Sequence, residues 1–150
     1  MPIVRETQVQ DIHYLIQNIR EDDRNELKAL GLTPEASISR GYLHSDRLYS
    51  VVDDENKTIA IFGTVFVTNK VCRVWLLASN LINNHKIYFL RNSKKYYQEI
   101  TKGYDTAYNA VHAKNKLHIQ WLEWLGAKFT KDYVFNGEVF RLFHIINKGE

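Results

Sequence analysis

At 150 residues, with 45% hydrophobic content, 2 prolines and 7 glycines, the chain suits one compact domain over 1–150 with a sizeable core rather than two domains or a disordered segment. Its single cysteine, Cys72, excludes an intrachain disulfide framework, and its longest uncharged apolar runs fall well short of the roughly 20 residues of a membrane-spanning helix. Arg5, Glu6 and Asp11 stand where a cleaved signal would be apolar, so the expectation is a soluble protein without one. The net charge of +3 is small but uneven, because His85, Lys86, Arg91, Lys94, Lys95 and Lys102 crowd one segment against a single acid, Glu99.

In chain order, residues 3–5 read as a short strand. Thr7 and Gln10 then form a capping box for a helix carrying Val9, Ile12, Ile16 and Ile19 at helical spacing. Glu21-Asp22-Asp23-Arg24 reads as a charged break, after which Thr33 and Pro34 open a helix that ends near His44. From there the period changes: 48–53, 58–67 and 71–77 are rich in Val, Ile, Phe and Tyr and are joined by turn material, which predicts a three-stranded meander. Gly63 marks a bulge or a close backbone approach in the second of these strands.

Helical spacing returns over 83–102, with Phe89, Ser93, Tyr96 and Ile100 on one stripe and Arg91, Lys95, Gln98 and Lys102 on the other. A strand over 106–112 follows. Then comes a helix opened by Asn115 as its N-cap, with Leu117, Trp121 and Trp124 on a buried stripe, and closed by Gly126. Trp75 and Phe89 are likewise expected in the core. Strands 129–135 and 138–146 form a hairpin across Asn136-Gly137. This alternation predicts an α/β (α+β) architecture, a mixed central sheet of about seven strands flanked by about four helices.

The order of elements, and an Asn115 helix closing in Leu125-Gly126 before a strand, resemble the GCN5-related N-acetyltransferase superfamily over essentially the full chain. Arg5, Thr7 and Asp11 resemble its opening segment. The resemblance implies an acetyl-CoA site where the fourth and fifth strands splay apart, with the pyrophosphate on backbone N–H groups of a Gly-rich loop at a helix N-terminus, whose unpaired donors and dipole favour an anion. It places Leu77, Ser79, Asn84, Lys86 and Asn115 as candidate cofactor-binding residues. The corresponding loop, Ala78-Ser79-Asn80-Leu81-Ile82-Asn83-Asn84, contains no glycine, so side chains stand where backbone should meet phosphate.

The superfamily's usual Tyr acid falls on Leu122, leaving Tyr108, Tyr104 or His112 as candidate replacements; Asp53, Asp54, Glu55 or His44 are candidate bases. No histidine spacing suggests a metal site. A closer resemblance is to small acetyltransferase-like proteins of short-tailed bacteriophages, labelled internal virion protein A. It is carried by Val74-Trp75-Leu76-Leu77-Ala78-Ser79, by the segment from His85-Lys86 to Phe89-Leu90-Arg91-Asn92-Ser93, and by Tyr108-Asn109-Ala110-Val111-His112 leading to Trp121-Leu122-Glu123-Trp124-Leu125-Gly126-Ala127. It implies a protein with a degenerate acetyl-CoA site that binds phage or host proteins, in the host bacterial cytoplasm or the phage virion. The alternatives are an active acetyl-CoA-dependent N-acetyltransferase, or nucleic-acid binding through Arg91, Lys94, Lys95 and Lys102 beside Tyr96 and Tyr97.

Overall fold

A computed structural model describes residues 1–147. The elements run β1 (Ile3–Glu6), α1 (Val9–Asn18), α2 (Glu21–Ala29), α3 (Pro34–His44), β2 (Arg47–Val52), β3 (Thr58–Phe66), β4 (Val71–Ala78), a 3-10 helix (Asn80–Asn84), α4 (Lys86–Ile100), β5 (Thr106–His112), α5 (Lys116–Trp124), β6 (Lys128–Phe135) and β7 (Glu138–Ile146). The seven strands form one mixed sheet in the order β1-β2-β3-β4-β5-β7-β6. Every neighbouring pair is antiparallel except β4 and β5.

The sheet is covered on both faces. On one side Ile12, Leu15 and Ile19, with Leu27 of α2 and Ile38 of α3, meet Ile61 and Leu77. On the other, Phe89, Tyr97 and Ile100 of α4 and Ile119, Trp121 and Leu122 of α5 meet Val74, Leu76, Val111, Phe143 and Ile145. β3 lies between the two cores, which is why its residues from Thr58 to Thr64 are buried without alternation. Burying a side chain such as Leu15, Ile38 or Ile61 contributes roughly 1.5–3 kcal/mol.

Local chemistry explains several boundaries. Thr33 Oγ1 accepts from the Ala36 N–H at 3.1 Å, with Pro34 in the first turn. Gly126, at φ +91°, closes α5 in a Schellman arrangement: its N–H donates to the Glu123 carbonyl at 3.0 Å and that of Ala127 to Leu122 at 2.9 Å. Asn136 and Gly137, at φ 52° and 77°, make the primed turn that matches strand twist. Gly63 is a close approach and not a bulge, since a Cβ there would stand 2.4 Å from the Arg47 carbonyl oxygen. The register shift lies instead between Val51 and Val52.

Four expectations are corrected. Glu21 to Arg24 begin α2 instead of breaking the chain, so five α-helices flank the sheet. The box at the start of α1 is built by Gln8 and Asp11 rather than Thr7 and Gln10; the Gln8 N–H donates to Asp11 Oδ2 at 2.9 Å. The helix expected from residue 83 starts at Lys86, after the 3-10 turn. Trp124 is not core: it is 46% exposed, with Lys94 Nζ 4.7 Å above its ring.

Candidate functional site

β4 and β5 part after three registered pairs, Val71 with Thr106, Cys72 with Ala107 and Arg73 with Tyr108. At the fork Asn109 Nδ2 donates to the Val74 carbonyl at 2.9 Å, so a side chain takes the acceptor that a longer parallel ladder would have used. Beyond it the two strands leave backbone donors without strand partners, and a buried unpaired donor costs roughly 1–3 kcal/mol. One turn of α2 supplies both acceptors. Asp23 Oδ2 accepts from the Ala78 N–H at 2.7 Å, and Glu26 Oε1 from the His112 N–H at 3.0 Å. Residues three apart share a helix face, which is what lets a single turn span the fork.

The junction of α1 and α2 completes the closure. The Arg20 N–H donates to the Ala78 carbonyl at 3.0 Å, and Ile19 bridges Ser79, so both backbone groups of the last β4 residue are taken. Asp23 is fully buried. Its Oδ1 accepts from Arg20 Nη1 and from Asn115 Nδ2, both at 2.9 Å. Asn115 Oδ1 accepts from Arg20 Nη1 at 3.0 Å, and its amide also donates to Glu26 at 3.2 Å. His118 Nε2 lies 3.2 Å from Asp23 Oδ1, but off hydrogen-bond alignment. Asn115 therefore stands at the N-cap position of α5 without capping it through its side chain, since its amide belongs to this network.

The loop after β4 turns its donors inward. The Ser79 N–H donates to the Ile59 carbonyl at 2.9 Å, and Ser79 Oγ donates to Thr58 at 2.6 Å. The N–H groups of Ile82 and His85 are used inside the 3-10 turn, at 3.1 and 3.0 Å. Asn84 and Lys86 are exposed at its end, and Leu77 is buried against Ile61. Of the five candidate cofactor residues, Ser79 and Asn115 have their polar groups committed to the fold, and only Asn84 and Lys86 present theirs to solvent.

The candidate acids are dispersed. Tyr104 precedes β5, at the end where the strands are still paired; its hydroxyl donates to Asp46 at 2.7 Å, and burial together with that bond pushes it up to about 12. Tyr108 sits at the fork, opposite Arg73. The buried ring of His112 is 2.6 Å from Glu138 Oε1 and helps line a polar cleft of about 410 Å3 with Lys28 and Lys114. Leu122, at the superfamily's Tyr position, is 3% exposed within the core. Asp53, Asp54 and Glu55 occupy the β2–β3 turn, where Asp53 Oδ1 accepts from the Glu55 and Lys57 N–H groups at 2.9 Å. His44 ends α3. Cys72 is buried in β4, and burial pushes its thiol up to about 11. Among the described residues no helix is long and apolar enough to cross a membrane, and no group of three His, Cys, Asp or Glu is arranged to hold a metal ion.

Solved structures built on this plan are GCN5-related N-acetyltransferases, and the fold is theirs. The ribosomal-protein-S18-alanine N-acetyltransferase of Escherichia coli matches with a TM-score of 0.70 at 14% identity, over 97% of this chain and 94% of its own. A chimeric spermidine N-acetyltransferase from Vibrio cholerae gives 0.69 at 12% identity over 97% and 95%, and an acetyltransferase of the same superfamily from Bacillus anthracis gives 0.68 at 10% identity over 97% and 94%. By sequence, the chain belongs to the family described as "Bacteriophage T7, probable scaffold protein Gp13", which matches residues 55–134, just over half its length. No curated protein matches it by sequence.

The backbone groups at the end of β4 are occupied by Asp23 and Arg20, and the loop beyond has side chains in place of glycines.

Proposed function

We propose that this chain is a single-domain phage protein that has kept the acetyltransferase fold while its cofactor gap is closed by α2, and that it acts by binding phage or host proteins in the infected cell or the virion. The carrying observation is the pair of carboxylates, Asp23 and Glu26, that satisfy the last donors of β4 and β5 from one helical turn. The family match to a probable scaffold protein supports a role in contacts between proteins. The absence of a Tyr at position 122 and of glycines in the loop supports the loss of thioester chemistry.

The test is a calorimetric titration of the chain with acetyl-CoA, followed by co-sedimentation of the tagged chain with phage particles. No saturable heat at millimolar cofactor, together with sedimentation that persists at high salt, is the expected result. Saturable micromolar binding would overturn the closed-gap reading and return the chain to the enzymes.

A further inference from the structure

α2, α3, α5 and the separating halves of β4 and β5 line an open-mouthed cavity of about 370 Å3, within the roughly 300–1,000 Å3 of small-molecule pockets. Its walls are mainly apolar, with Leu27 and Leu30 facing Leu77, Ala110 and Phe143. One wall is the Trp75 indole, which is fixed in place. Its Nε1 donates to Ser45 Oγ at 2.9 Å, and its ring lies so near Gly41 that a Cβ there would stand 2.7 Å from a ring carbon.

Two kinds of polar group along this cavity lack partners. Trp121, 5% exposed, lines it and carries a ring nitrogen without a hydrogen-bond partner, whereas the Nε2 of its neighbour His118 has Asp23 Oδ1 at 3.2 Å. A buried polar group in that condition marks a place where a ligand or water atom belongs. Arg40 and Arg73 line it as exposed residues, and neither makes an ion pair among the described residues. The only acid in the lining, Glu26, is already accepting from His112 and Asn115. Cations outside, apolar walls and one orphaned nitrogen within define one ligand chemistry.

We infer that this cavity binds a medium-chain carboxylic acid bearing an oxo or hydroxyl oxygen near its far end. The carboxylate pairs with Arg40 and Arg73, the chain lies among the leucines, and the distal oxygen accepts from Trp121. Acetyltransferase acceptors are amines, so the charge preference is opposite to that of the fold's enzymes. The inference rests on the reading that acetyl-CoA does not occupy the gap, since the separating halves of β4 and β5 form one wall of this cavity.

Three probes of equal length separate the possibilities: 7-oxooctanoate, octanoate and octylamine, each titrated against the full chain and read by tryptophan fluorescence and calorimetry. The expected order is 7-oxooctanoate tightest, then octanoate, with octylamine showing no saturable response. Arg73→Ala weakens both acids about tenfold, as expected for loss of one charge-assisted contact. Ala110→Leu, which fills the cavity, abolishes their binding. Arg73 is exposed, so its variant keeps the test open if Ala110→Leu fails to fold. Octylamine binding as tightly as octanoate, equal affinity for the two acids, or acid binding unchanged in Arg73→Ala would each overturn the inference. A parallel acetyl-CoA titration reports on the proposed function separately, because saturable cofactor heat is read with no acid present.

Discussion

Two arginine–aspartate pairs, each with a buried aspartate, anchor the first two helices, and they work over different distances along the chain. Arg5 of β1 grips Asp11 of α1 with two bonds, at 2.7 and 2.9 Å, six residues apart. Arg20 and Asp23 are closer still in sequence, but their shared partner is Asn115, and Asp23 continues to Ala78 of β4. The first pair fastens a helix to the strand that precedes it. The second fastens together two arms of a sheet whose strands have stopped pairing. A similar ion pair can thus be a local clasp or a keystone, depending on where its spare hydrogen bonds go.

The largest expected effect breaks the keystone. Asp23→Ala strands the Ala78 N–H and takes one acceptor each from Arg20, which keeps Asp22 and Asn115 Oδ1, and from the Asn115 amide, which keeps Glu26; it should cost roughly 3 kcal/mol in denaturant unfolding, the low end for removing one partner of a buried pair. Asp11→Asn should cost less, about 2 kcal/mol, because Arg5 is partly solvated and the amide still reaches it. If the two losses prove equal, the distinction between clasp and keystone fails.

Acid sharpens the contrast. Burial alone would raise Asp11, but the Arg5 guanidinium and the Gln8 N–H outweigh it and hold the carboxyl below its ordinary value of 3.8. A depressed folded value means that the stabilisation is present above the unfolded value and is lost as pH falls through the folded one. Wild-type stability should therefore drop below about pH 4 more steeply than that of Asp11→Asn, measured as urea midpoints from pH 2 to 6.

Neither pair was read from the sequence, but the clasp lies in the more legible region. Arg5 and Asp11 stand beside a strand-to-helix transition, and the meander, the Thr33-Pro34 start, the Gly126 stop and the Asn136-Gly137 turn all announce themselves through local backbone chemistry. α2 announces itself poorly. Of Glu21–Ala29, Leu27 is the one fully buried apolar residue, so apolar periodicity is silent there and its charges read as a break. The signal that was available is the acidic first turn, Glu21 to Asp23, which suits a helix N-terminus. Asn115 misled for a related reason: its position fits a cap, while its amide partners lie 89 to 95 residues away. Long-range polar contacts leave no period to read.

The smallest effect bears on how the fork is closed. Glu26 Oε1 accepts from a backbone N–H and an amide, and neither contact requires its charge. Glu26→Gln keeps an oxygen at that reach, so its cost should stay under about 1 kcal/mol, whereas Glu26→Ala strands the His112 N–H and should cost roughly 1–3 kcal/mol. Hydrogen exchange at the His112 amide reads the same difference locally, with protection kept in the glutamine variant and lost in the alanine one. A glutamine variant as damaged as the alanine one would mean that charge, and not an acceptor for the strand end, is what α2 supplies at β5.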